Sequence, residues 1–203
     1  AAADAVTALT QALDAIAPGA VYADLATAPP GLKRRLAAVA QGAGLGFADV
    51  ALMAPVPGTG LRTPALASGP AARAVVAALA PLGMPVEHAG DEPGGAATRK
   101  LLRSVVMKGL AAVVVESMRA AEAAGLARET WDNIVGQVAA ADEALIRRLV
   151  TGTARHAERR AHEMAAATAL LSELGVEPTM TGATTAQLRR VASDPSLVPE
   201  LPD

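Results

Sequence analysis

Lys100, Ser104 and Lys108 recur at i, i+4 and i+8 in a stretch of helical character. On a helix of about 100° per residue they form one polar stripe. Leu101, Leu102, Val105, Val106, Leu110 and Val113 surround it, and the run Val105 to Met118 is too apolar for a surface helix, so the remainder of this helix is expected to pack. An ammonium among apolar neighbours loses hydration, which lowers its pKa, and Arg99, Arg103 and Lys108 add like charge in the same direction. A lysine brought toward neutrality can take or give a proton, as oxidation or reduction at a secondary alcohol requires. The Ser104 hydroxyl would orient the substrate hydroxyl, and Lys108 would bind a carboxylate or serve the structure. The spacing fits equally well a Lys100 that forms one end of an interdomain salt bridge.

Two further groups bear on binding. Gly94-Gly95 precedes this helix, either to bring backbone N–H groups to an anion such as a substrate carboxylate or to act as a hinge. Near residue 156, a helix would place His156, Arg159, Arg160 and Glu163 on one face through i, i+3, i+4 and i+7 spacing. Paired guanidinium groups there would hold a carboxylate or phosphate, or form a salt-bridged surface. His156 and His162 fall on different faces and make no metal pair, so no metal site is expected. His88 reads as structural, and Trp131, Tyr22 and Phe47 as core.

The elements that must carry these residues divide into two parts. Up to about residue 92, short apolar stretches (20–25, 47–56, 65–67, 85–88) alternate with helical ones (4–17, 31–43, 70–82), the pattern of a parallel sheet with crossover helices. Beyond it only helices are expected, at 95–124, 128–150, 153–174 and 183–192. The fold class is therefore α/β plus all-α, with domains at 1–92 and 93–203. Gly42-Ala43-Gly44-Leu45-Gly46 precedes a strand instead of following one, so no dinucleotide fingerprint of strand, glycine turn and helix is present. The parallel edge left bare implies a covering chain or a longer protein.

Composition narrows the function classes. The 203 residues are 52% hydrophobic but 1% aromatic, and the net charge is -2. With neither basic tract nor stacking platform, nucleic acid is not an expected partner. There is no cysteine, hence no disulfide and no thiolate chemistry. No uncharged run is long enough to span a bilayer and the start has no signal-peptide build, so a cytoplasmic protein without a membrane partner is expected.

The order of three motifs resembles the β-hydroxyacid dehydrogenase superfamily, which includes 3-hydroxyisobutyrate and 6-phosphogluconate dehydrogenases. More narrowly it is similar to a phosphogluconate-dehydrogenase-like group with its own helical C-terminal domain. Tyr22-Ala23-Asp24-Leu25-Ala26-Thr27 is similar to the family's Asp-x-Ser-Thr strand end, with Ala26 in place of serine. Ala54-Pro55-Val56-Pro57-Gly58-Thr59 resembles the Asp-Ala-Pro-Val-Ser-Gly-Gly substrate loop, with Met53, Pro57 and Thr59 at the Asp, Ser and last Gly positions. Gly94 to Ser104 resembles Gly-x-Gly-x-x-x-Lys-x-x-x-Asn, with Ala96 for the second glycine and Ser104 for the asparagine.

The likeness spans about residues 4 to 193 and only the later two-thirds of a family member, so the first strands and glycine loop of a Rossmann-type domain would lie outside it. It implies hydride transfer between NAD or NADP and a small hydroxy acid. Lys100 would be general acid/base beside Ser104, with Thr27 at the cofactor and Pro57, Gly58, Thr59, Gly94, Lys108, His156 and Arg160 at the substrate. It also implies a homodimer. Two readings stay open beside it: a non-catalytic helical dimerisation or binding module, or fragment, unable to hold cofactor alone, and an imine reductase on the same scaffold, which a lysine at 100 disfavours.

Overall fold

The computed structural model describes residues 4–202 and divides into two compact units between Val106 and Met107. In the first unit, α1 (Ala5–Ala12), β1 (Val21–Asp24), α2 (Pro30–Gly42), β2 (Gly46–Leu52), β3 (Ala65–Ser68), α3 (Ala72–Leu79) and β4 (Val86–His88) follow in turn, and α4 (Gly95–Ala123) begins. The α/β-then-helical class expected from the sequence is the one observed. The four strands lie in sequence order, with β1–β2 and β3–β4 parallel.

The β2–β3 pair is antiparallel, which the alternation of elements did not foretell. Each parallel pair is joined by a helix, as a parallel return requires. The Met53-to-Pro64 connection holds only a 3₁₀ turn, Gly60–Arg62, so the chain reverses. The sheet is thus two βαβ units set side by side. That register places Asp49 of β2 opposite Ser68 of β3.

Side chains alternate across a strand, so β2 feeds both faces of the sheet. Phe47 packs with Leu9, Leu36 and Ala40 beneath α1 and α2, while Ala48 and Val50 pack with Val75, Ala67 and Val86 beneath α3. Tyr22 stacks on Phe47 with centroids 6.4 Å apart. Asp49 has the parity of Phe47 and therefore meets the α2 side.

The second unit contains the remainder of α4, then α5 (Ala127–Ala139), α6 (Glu143–Glu173) and α7 (Thr179–Ser193), with α6 and α7 packed together. The expected helix break near residue 151 lies instead at Ala140 to Asp142, where the Asp142 side chain accepts from the Leu145 N–H at 2.8 Å and caps α6. The α7 helix begins at Thr179, ahead of the expected 183.

Two packing expectations are corrected. Val105, Val106 and Val115 are exposed, at 71%, 68% and 60%, so much of the apolar run of α4 is not buried. Trp131 is also exposed, at 48%, whereas Phe47 is core. No helix among the described residues is long and apolar enough to cross a membrane.

Candidate functional site

The α2 helix buries Lys33, Leu36, Ala37 and Ala40, an i, i+3, i+4, i+7 face whose first member is a lysine. Lys33 is 1% exposed. An ammonium has three protons. All three are used: Nζ donates to Asp24 Oδ2 at 2.7 Å, to the Asp24 carbonyl at 3.1 Å and to the Ala26 carbonyl at 2.7 Å. Asp49 Oδ1 lies 3.0 Å from the same nitrogen as an ion pair, yet has no hydrogen-bond donor of its own. Two buried carboxylates thus share one buried cation.

Asp49 Oδ2 has a second task. It accepts from the Ala97 N–H at 2.8 Å and from the Ser68 hydroxyl at 3.3 Å, and Ser68 Oγ in turn accepts from the Ala96 N–H at 2.8 Å. The first turn of α4 leaves N–H groups without helical partners, and its positive end favours a carboxylate. Two residues held opposite each other by the β2–β3 register supply both needs. The amides of Ala96 and Ala97 are therefore occupied from within, and the expected anion site at this helix start is filled by Asp49 and Ser68. Gly94 has φ +93°, and a Cβ there would meet three atoms of Pro30 at 3.0 Å. It permits close approach to the start of α2.

Lys100 lies one turn beyond Ala97 and is half-buried. It lines a crevice with Asp49, Ala97, Thr27 and Ala28 that is too tight to admit a water-sized molecule. Burial, and then the Lys33 ammonium, push its pKa below the ordinary lysine value, while Asp49 acts in the opposite sense. The cationic neighbour is not one foreseen from the sequence. Arg99 donates to the carbonyls of Ala89 at 2.7 Å and Gly95 at 3.1 Å, Arg103 donates to the Met53 carbonyl, and Lys108 is exposed. The structure brings Thr27 and Lys100 into one crevice at the carboxyl ends of β1 and β2, where open α/β sheets take ligands. Thr27 does not cap α2, whose N-cap is Pro29 without a side-chain bond. Ser104 is half-buried on the same helix.

Other expected site residues have tasks of their own. The Thr59 hydroxyl contacts the Pro55 and Val56 carbonyls at 2.8 and 3.2 Å and the Thr63 hydroxyl at 2.6 Å. It shapes the loop that exposes Pro57 and Gly58. In the second unit, His156 leaves helical geometry (φ -128°, ψ 21°) and kinks α6. The kink breaks the expected common face. Arg160 turns back to donate to Thr153 Oγ1 at 2.6 Å and to the Leu149 carbonyl at 3.3 Å, filling the gap, while Arg159 pairs with Glu163 on the surface. His88 is hydrogen-bonded to Asp91 at 2.8 Å.

A roomier cavity of about 380 Å³ lies in the second unit, between apolar side chains such as Ala120, Leu170, Leu171 and Met180. Its one titratable wall residue is Glu116, which accepts from the N–H groups of Met180 and Thr181 at 2.7 and 2.8 Å and from the Thr181 hydroxyl at 2.6 Å. Burial alone would raise this carboxyl; the hydrogen bonds from Thr181, Met180 and Thr179 outweigh it and hold the pKa below the ordinary value. Glu116 thus caps α7.

Residues 121–191 match the family described as "Domain of unknown function (DUF1932)". A conserved hypothetical protein from Sinorhizobium meliloti is 28% identical, with 93% of this chain and 64% of that one covered and a TM-score of 0.54. The conserved protein MTH1747, of unknown function and described as structurally similar to 3-hydroxyacid dehydrogenases, is 25% identical over 94% of this chain and 72% of its own, with a TM-score of 0.56. The fold is that of the 3-hydroxyacid dehydrogenase-like proteins. An imine reductase from Aspergillus terreus, in complex with NADPH4 and dibenz[c,e]azepine, shares this hydroxyacid-dehydrogenase-like fold at 21% identity, covering 96% and 73% of the two chains with a TM-score of 0.75. The superfamily resemblance seen in the sequence is borne out, and the chain spans less than two thirds of the Sinorhizobium protein's length. No curated protein matched.

Proposed function

We propose that this chain provides the proton-transfer half of an NAD(P)-dependent oxidoreductase that interconverts a small hydroxy acid and its keto form. The observation that carries the reading is the crevice shared by Lys100 and Thr27, with the Lys100 amine biased toward neutrality by burial and Lys33. Structures of the same fold hold NADP+ or NADPH, as in the Myxococcus stipitatus and Aspergillus terreus reductases. When bound, such a cofactor accepts or supplies the hydride.

The residues of this chain fit its nicotinamide end only. Thr27 and the end of β1 would contact it. Among residues 4–202 the turns from strand to helix that contain glycine, Gly69 before α3 and Gly90 to Gly95 before α4, lack the Gly-x-Gly-x-x-Gly spacing that holds a pyrophosphate. In the oxidative direction the neutral Lys100 amine takes the substrate hydroxyl proton and becomes an ammonium; in reduction it returns that proton. Ser104 would orient the same oxygen. Pro57, Gly58 and Lys108 remain candidates for the substrate carboxylate, with Gly94 setting the helix start. Thr59, Arg160 and His156 serve chiefly to shape the loop and the kink. The domain division proposed is a nucleotide-side portion up to about residue 92 and a helical portion beyond it.

The exposed valines of α4 and the exposed Trp131, Val135 and Val138 of α5 favour a second copy of the chain as their cover. A cytoplasmic homodimer is the assembly proposed. In the full-length gene product, Lys100→Ala should reduce turnover about a hundredfold or more while the circular dichroism spectrum and cofactor affinity stay unchanged. Assaying keto acids and cyclic imines side by side separates this reading from an imine reductase, which would turn over the imine alone.

A further inference from the structure

Lys33 enters the reading above only as a charge near Lys100, yet it is the most completely buried cation among the described residues. Its three protons hold the turn after β1 at Asp24 and Ala26, immediately before Thr27. Its charge faces Asp49 Oδ1 at 3.0 Å, and the other oxygen of Asp49 holds the first turn of α4 through Ala97. One ammonium therefore ties together both walls of the crevice: the Ala26–Ala28 turn on one side and the helix start that aims Lys100 on the other. Asp49 Oδ1 receives charge but no proton, because the third proton of Lys33 is spent on the Ala26 carbonyl.

We propose that Lys33 and Asp49 are positioning residues for Lys100, joining the β1 turn to the α4 start and balancing the charge beside its amine. This rests on the acid–base reading of Lys100. Lys33 from α2 and Asp49 from β2 are the charged groups that act on Lys100 from the packed elements, with opposite signs. On α4 itself, Arg99 and Arg103 are engaged with backbone carbonyls. A buried ion pair adds little to stability compared with a well-packed apolar group of the same size, so stability alone gives weak reason for a lysine here. Setting the protonation of a neighbouring amine is a task no apolar residue can perform.

The chain has three lysines, Lys33, Lys100 and Lys108, so their ε-carbon signals can be followed separately through a pH titration by nuclear magnetic resonance in ¹³C-lysine-labelled protein. The double variant Lys33→Met with Asp24→Asn removes a cation and an anion together and leaves the Asp49 cap in place. The Lys100 midpoint should rise, and in the full-length enzyme the pH profile should move with it, kcat for oxidation at neutral pH falling about tenfold with KM nearly constant while reduction does not fall. Asp49→Asn keeps an oxygen for Ala97 and removes the opposing charge, so it should move the midpoint down. It also supplies the second arm should the double variant fail to fold. Midpoints that stay at the wild-type value in folded variants would overturn the inference, whatever Lys100 does. Shifted midpoints in an enzyme whose Lys100→Ala variant keeps full turnover would sink the acid–base reading and the positioning role with it.

Discussion

Each unit holds a buried carboxylate at a helix start, and the two are used differently. In the second unit Glu116 meets only donors: two backbone N–H groups and a hydroxyl at the beginning of α7. In the first, Asp49 meets one donor at the beginning of α4, the Ala97 N–H, and the Ser68 hydroxyl of β3, but also a buried ammonium, and it borders a crevice containing a second lysine. A helix end satisfied by a carboxylate needs nothing more. The surplus charge around Asp49 is what sets the proposed site apart from a cap, and the larger cavity beside Glu116 has no such charge.

The sharpest way to break this comparison is to remove the surplus. Lys33→Met alone leaves Asp24 and Asp49 buried without their cation, and should cost about 3–5 kcal/mol in urea unfolding of the chain. A cost below about 1 kcal/mol would mean that Asp49 behaves as Glu116 does. Glu116→Gln should cost less, about 1–3 kcal/mol, since the amide loses acceptor capacity facing three donors while no charge is left unpaired. Because the folded pKa of Glu116 lies below its unfolded value, its contribution is complete above the ordinary carboxylate range and is lost as pH falls through the folded value. Acid unfolding of Glu116→Gln should therefore show a shallower pH dependence than wild type. Arg160→Ala should have the smallest effect, about 1 kcal/mol, through loss of its bond to Thr153 and of the bond that repairs the kink.

The same contrast explains what the sequence made legible. Lys100 is singled out by its helical spacing with Ser104 and Lys108, and Thr27 by the family resemblance alone. Asp49 is not, because its task depends on lying opposite Ser68 across a strand pair and on reaching Ala97, 48 residues on. Lys33 carried a usable signal. Positions 33, 36, 37 and 40 form one helical face, and a lysine at its head must be paired if the face is core. The small alanines blur the phase, because Leu32, Leu36 and Val39 mark a neighbouring apolar face more strongly. The α5–α6 break was legible in Asp142, a good N-cap residue, but alanines on both sides made the run look continuous. The kink at His156 leaves no pattern in residue type. The antiparallel β2–β3 step followed from a connection with no helix in it, a feature of what the loop lacks.

The central claim is that Lys100 exchanges the substrate proton, and the pH dependence of turnover in both directions tests it most directly. The amine is active as a base when neutral and as an acid when charged. Its pKa lies below the ordinary lysine value. Oxidation by the full-length gene product should therefore increase as pH rises through that pKa, reduction should decrease across the same interval, and Lys100→Ala should lower both about a hundredfold and abolish the shared limb. A limb that persists in Lys100→Ala at the wild-type position would show that another group carries the proton and would contradict the account.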